Sequence, residues 1–110
     1  MRGLHPHERP LVDALFKAAG LARPEDTVRV HPMQDGAMGS LAFAPLGRAI
    51  GRAAAACEFL DADGTPVSAV LNLDSDGVPL ELDVWKVSFA PLQRWPDASQ
   101  LVMRSAVDPG

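Results

Sequence analysis

At 110 residues the chain is long enough to bury one core without disulfide or metal staples. It carries a net charge of −4 with scattered Arg and no basic stretch, which disfavours a nucleic-acid partner. Its single Cys57 excludes an internal disulfide and a multi-cysteine zinc site, and lies in an apolar run that suits a buried, reduced thiol of the cytoplasm.

The apolar fraction of 47% and charged fraction of 22% are those of an ordinary soluble domain. No apolar run approaches the length that spans a bilayer, so no membrane partner is expected. Met1 to Pro10 is polar, holds two His and lacks the apolar core of a signal peptide. A soluble cytoplasmic protein of bacterial type is the expectation, with 1–7 and 105–110 as flexible ends of a single domain.

Pro10 opens a predicted helix to about Ala19. Leu11, Val12, Leu15, Phe16 and Ala19 fall on one face at helical period. Glu8 suits the positive end of its dipole, and Gly20 its C-terminal stop. Thr27 to Met33 alternates Val28 and Val30 with Arg29 and His31, as a short strand does. After the glycine-bearing turn Gln34 to Ser40, Leu41 to Ala44 is extended again, so 28–44 reads as a hairpin. Arg48 to Arg52 is consistent with a loop or a helical turn.

Ala53 to Asp61 is Ala-rich, which favours helix by propensity. The Asp61-Ala62-Asp63-Gly64-Thr65 turn overrides this. It pairs Phe59 with Val67, Cys57 with Ala69 and Ala55 with Leu71, all apolar and on one face. A two-residue Asp76-Gly77 turn would next pair Ser75 with Val78, Leu73 with Leu80, Leu71 with Leu82 and Ala69 with Val84. The fold class is thus α+β: an N-terminal helix packed on a mainly antiparallel sheet of four to five strands, centred on a 53–87 meander. Beyond Val87, two prolines predict an irregular wrap laid on the core edge by Phe89, Leu92 and Trp95. Leu101 to Met103 reads as a short helix or strand.

The second sheet face carries the residues able to do chemistry or recognition: Glu58, Ser68, Val70, Asn72, Glu81, Asp83 and Trp85. Glu81 and Asp83 are neighbours at i and i+2, about 7 Å apart along a strand. Such a pair can split its pKa values for acid–base work or hold a divalent ion, but a solvated sheet face shows the same pattern. Trp85 is either covered by the C-terminal wrap or left as an interaction anchor. Lys86 points to the apolar face at the strand end and is expected to snorkel outward.

The Asp35-to-Ser40 loop could cradle an anion, but it lacks phosphate-loop spacing and reads better as a glycine turn. His5, His7 and His31 are possible metal ligands, without a third ligand at a defining spacing. No cofactor motif is present, and Cys57 lacks a cationic or Cys-x-x-Cys setting for a nucleophile.

Three blocks carry a family resemblance. They are Asp35-Gly36-Ala37-Met38-Gly39-Ser40-Leu41, Glu58-Phe59-Leu60-Asp61-Ala62-Asp63-Gly64, and Glu81-Leu82-Asp83-Val84-Trp85-Lys86-Val87-Ser88-Phe89-Ala90-Pro91-Leu92. Together they resemble a family of small bacterial domains with an Asp-Gly-Gly-Met-Gly-Ser-type loop and a Glu-Leu-Asp-x-Trp-Lys-Val-Asp-Phe-Ser-Pro-Leu-type block. The chain departs from that pattern at Ala37, Ser88 and Ala90. The missing acid at Ser88 weakens a catalytic role there. The resemblance implies a fold and attaches no activity.

The expected function is a non-enzymatic binding module, in the manner of an immunity protein, whose acidic face takes a basic protein partner. Its candidate site is Glu58, Asn72, Glu81, Asp83, Trp85 and Lys86. A homodimer is an alternative assembly. The alternative functions are a small-molecule or metal site, or a minor enzyme, at Glu81, Asp83 and Glu58. In a third reading these acids are structural and accept hydrogen bonds from the C-terminal wrap.

Overall fold

The computed structural model describes residues 1–104. One helix, α1 (Arg9–Ala18), lies on one face of a six-stranded sheet. The strands are β1 (Val30–Pro32), β2 (Leu41–Phe43), β3 (Ile50–Leu60), β4 (Pro66–Asp74), β5 (Pro79–Lys86) and β6 (Val102–Arg104). Their spatial order is β1-β2-β5-β4-β3-β6, and every neighbouring pair is antiparallel. The class is α+β as expected, with six strands rather than four to five. The sixth is β6, which pairs Met103 with Cys57 on the outer edge of β3. The expected flexible tail 105–110 lies outside the described residues.

The helix forms where the apolar spacing puts it. Leu11, Val12, Leu15 and Phe16 are buried on one side, and Phe16 meets Phe43 edge-on at 5.6 Å. Gly20 ends it at φ +77°, so that its N–H reaches Lys17 and the N–H of Leu21 reaches Phe16. These two bonds satisfy carbonyls that a helix end leaves without partners. Ahead of the helix, Arg2 exchanges two backbone hydrogen bonds with Val30, and Pro6–Glu8 makes a 3-10 turn.

The central meander β3-β4-β5 follows the hydrophobic pattern. Phe59 faces Val67, Cys57 faces Ala69, Ala55 faces Leu71, Leu71 faces Leu82 and Ala69 faces Val84. With Leu73 and Leu80, these make the sheet's buried side. Ala content did not make β3 a helix, because the strand buries Ala55, Cys57 and Phe59 at period 2.

One register expectation fails. Leu73 pairs with Pro79, not Leu80, across an irregularity after Asn72. The turn is not a two-residue Asp76-Gly77 loop. Asp74 donates its N–H to the carbonyl of Val78, and Gly77 donates to that of Asp74. The first turn has the same two bonds at Asp61, Thr65 and Gly64. Asp61-Ala62-Asp63-Gly64-Thr65-Pro66 and Asp74-Ser75-Asp76-Gly77-Val78-Pro79 are two copies of one bulged turn. Gly64 and Gly77 both stand at φ +80°, the left-handed position this turn requires.

Gly51 sits at the start of β3, against the second turn. A Cβ there would lie 2.5 Å from the carbonyl carbon and oxygen of Asp74 and 2.7 Å from the Ser75 nitrogen. Backbone cannot rotate away as a side chain can. Gly51→Ala is expected to cost roughly 2 kcal/mol or more. Urea unfolding checks this, and an unchanged midpoint would contradict the close approach.

Candidate functional site

Lys86 is not a snorkelling surface cation: it is 0% exposed. The strand alternation points it into the sheet's helix-facing side, opposite Val67, as the sequence indicates. Its ammonium finds partners inside that water would otherwise supply. Nζ donates to Asp61 Oδ2 at 2.8 Å, Asp63 Oδ2 at 2.8 Å and the Pro91 carbonyl at 3.3 Å. A buried ammonium needs such pairing, and its three donors are all used. The expectation of outward snorkelling fails because the acids come from a turn 25 and 23 residues upstream and the carbonyl from the wrap downstream.

Asp61 is the hub. Its oxygens accept N–H groups from Ala62 (2.7 Å), Gln93 (2.9 Å) and Arg94 (3.0 Å) beside the Lys86 ammonium. Burial alone would push its carboxyl up, but Lys86 and these amides hold it below the ordinary range. The Lys86 ammonium, with the Thr65 amide, brings Asp63 down to about 2. The acid that takes the C-terminal wrap is therefore Asp61, and not Glu81, Asp83 or Glu58 as in the third reading of the sequence.

The Asp35 loop docks on the same region. Asp35 accepts the N–H groups of Met38 (3.2 Å) and Ser40 (3.0 Å), which closes the loop. Buried Ser40 accepts the Val84 N–H at 2.9 Å and donates to the Val84 carbonyl at 3.2 Å. Gly39, at φ +110°, lies under Trp95, where an added Cβ would be 3.1 Å from the indole. The loop is a turn with left-handed glycines, as expected, and it also braces β5 against the wrap.

The second turn has its own cation. Arg48 donates to Asp74 at 2.7 Å and to the carbonyls of Phe43, Pro45 and Pro79. The hydrogen bonds of the Val78 N–H and of Arg48 hold the Asp74 carboxyl low. Sequence reasoning missed Asp61 and Asp74 as a matched pair. The repeated Asp-x-Asp-Gly-x-Pro was the available signal.

On the opposite face of the sheet Asn72 is buried, Glu81 and Asp83 are half-buried, and Glu58 and Trp85 are exposed. Asn72, Glu81 and Asp83 do converge there. The Asn72 amide donates to Asp83 Oδ2 at 2.9 Å and Glu81 Oε1 at 3.3 Å. Partial burial, then the charge of Asp83, push the Glu81 carboxyl up, against the pull of Asn72. Neither acid has a Lys, Arg or His partner among the described residues. Trp85 is 46% exposed on this face. Phe89 meets it edge-on at 5.9 Å and is itself 68% exposed. Leu92 and Trp95 pack on the core, as expected of the wrap, and Phe89 does not.

Glu58 is on the same face but apart from the acid pair. It stands opposite Ser68, four residues along β4 from Asn72, and is paired with Arg104 at 3.0 Å. Cys57 is buried, and burial followed by the nearby charge of Glu58 pushes its thiol up to about 11, which removes it as a nucleophile. His31 lies on β1 opposite Ala42, which in turn faces Glu81. No helix of the described residues is long and apolar enough to cross a membrane.

Fold and site define a small α+β domain with a helix packed on one sheet face and a partly exposed acidic cluster on the other. The chain belongs to the family described as domain of unknown function DUF6984, whose model matches residues 1–96. As the resemblance implies, that family has no assigned activity. No curated protein and no solved structure matches the chain.

Two measurements separate the sealed acids from the partly exposed ones. Asp61→Ala removes the ammonium's deepest partner and takes the acceptor from three amides, so it should lower the melting temperature by roughly 15 °C or more. In the wild type, Asp61 and Asp63 titrate lower in the fold than in the unfolded chain. Their contribution is full above the unfolded carboxylate value of about 3.9 and is lost as pH falls towards 2. Denaturation midpoints should therefore fall over that window, and less steeply in Asp61→Asn. Glu81 has the opposite sign. Its raised pKa penalises the fold at neutral pH, and the penalty fades as pH falls through the folded value towards the unfolded one. Glu81→Gln should leave the melting temperature at pH 7 unchanged or a few degrees higher. A clear loss would make Glu81 a structural acid.

Proposed function

We propose that the chain is a non-enzymatic protein-binding module whose acidic sheet face receives a basic segment of a partner. Glu81 and Asp83 take a Lys or Arg side chain, and Trp85 with Phe89 takes an apolar neighbour. An immunity-like role, in which a small acidic protein occupies a basic surface of another, is one form of this function. Homodimerisation through the same face is disfavoured by charge, because it would set the acids of one copy against those of the other.

One observation carries the reading. Two part-buried carboxylates share one neutral amide with no cation among the described residues, although this chain pairs its buried acids closely elsewhere. Burial first, then the charge of Asp83, raises the Glu81 carboxyl, and an incoming cation would offset both by favouring the ionised pair. An exposed Trp beside that pair supplies a broad, rigid contact of the kind that anchors interfaces.

The test uses a synthetic peptide of alternating Lys and Leu, followed by amide chemical shifts and Trp fluorescence. The expected result is saturable, salt-sensitive binding with shifts confined to Ser68, Val70, Asn72, Glu81, Asp83 and Trp85. Glu81→Gln/Asp83→Asn should weaken it roughly tenfold, as two ionic contacts at a partly desolvated site imply. Shifts centred elsewhere, or an affinity untouched by the double substitution, would overturn the reading.

A further inference from the structure

We propose that a second site lies at the N-terminal edge of the fold: a borderline divalent metal ion, Zn2+ or Ni2+, held by the imidazoles of His5 and His7 and a carboxylate oxygen of Glu8. This is independent of the sheet-face function. It rests on three observations.

The first is proximity. Ligand-capable atoms of His5, His7 and Glu8 all lie within 4.8 Å of one another. A metal with bonds of about 2.1 Å puts its ligands roughly 3.4 Å apart in a tetrahedron. The remaining closure falls on His5 and His7, whose exposed rings can turn to meet an ion. Pro6 between them fixes the local backbone, with His5 extended and His7 inside the 3-10 turn.

The second is that the carboxylate is already built in. Glu8 is 2% exposed. The Arg2 guanidinium grips it with two bonds of 2.8 Å, and the His5 N–H donates to Oε1 at 2.7 Å. Oε1 thus accepts two hydrogen bonds and Oε2 accepts one, which leaves Oε2 the freer oxygen for a metal. Oriented carboxylates of this kind are what outer-shell hydrogen bonds produce at metal sites. Arg2 is itself fixed by its backbone pairing with Val30, so the grip is part of the sheet edge.

The third is the cleft. His5, His7 and Glu8 line an open cleft of about 220 Å³ together with Arg2, Asp35 and Trp95. A three-residue ligand set then keeps a coordination position facing solvent, with room for water or a ligand atom. Asp35 lines the cleft but is not among the ligand-capable atoms that converge, so it adds negative charge and not a ligand. The charge of Asp35 offsets that of Arg2. An anion is the poorer occupant, because Arg2 already spends NH1 and NH2 on Glu8 and NH1 also on the Gly3 carbonyl. Two imidazoles and one carboxylate favour Zn2+ or Ni2+ over the hard ions Ca2+ and Mg2+.

The test is calorimetry of the full chain, freed of metal and of any affinity tag, titrated with Zn2+. The expected result is one ion per chain with a dissociation constant below about 100 µM. His5→Ala and His7→Ala should each weaken it at least tenfold and leave the melting temperature unchanged, since both side chains are exposed. His31→Ala should leave binding as it was. Co2+ should broaden the Trp95 indole, whose ring centroid is 6.0 Å from that of His7. Glu8→Gln is read only if it melts as the wild type does, and should then weaken Zn2+ too. No saturable binding up to millimolar Zn2+, or binding that survives replacement of both His5 and His7, would overturn the proposal.

Discussion

A charged ammonium with no access to water constrains this fold more than any other single group. Lys86 ends the third strand of the meander on its buried side, and an unpaired charge there would take a large part of a small domain's stability. The chain meets this by returning the first hairpin turn and the proline-rich wrap to the same point. Asp61 takes the ammonium with one oxygen while its carboxylate collects the amides of Gln93 and Arg94. The wrap has no strand to belong to, so this carboxylate gives the Gln93 and Arg94 donors their partner, while Leu92 donates to the Ala37 carbonyl.

The three sequence blocks that carry the family resemblance come together through that constraint. The first supplies Ser40, which clips β2 to β5, and Gly39, which makes room for Trp95. The second supplies Asp61 and Asp63. The third supplies Lys86, Pro91 and Leu92. Residues that carry the family resemblance in the linear sequence are thus in large part the pieces of a joint, and those side chains are spent on one another. What remains unspent lies on the other face, at Glu81, Asp83 and Trp85, and at the N-terminal edge.

The helix and the meander could be read from the sequence because their signals are local. Period 3.6 marked α1, and turn residues set the register that put Ala55, Cys57 and Phe59 against Val67, Ala69 and Leu71. The alternation also placed Lys86 on the buried side. Its fate could not be read, because a lone lysine at a strand end carries no mark of an aspartate twenty-five positions earlier. Arg2 with Glu8 and Arg48 with Asp74 escaped for the same reason: each joins segments that only the folded chain brings together. The acidic face was legible as a face, since strand parity alone assigns Glu81, Asp83 and Trp85 to it. That Asn72 bridges the acids, and that Glu58 turns away to Arg104, needed the register of four strands at once.

The joint at Asp61 is the claim on which this account rests, and amide hydrogen exchange tests it most directly. Gln93 and Arg94 lie outside every helix and strand, so nothing but the Asp61 carboxylate protects their N–H groups. The account predicts that both exchange as slowly as the strand amides of β4 and β5, and that protection of the two is lost together in Asp61→Asn. Exchange of these amides at the rate of an open loop in the wild-type protein would contradict it.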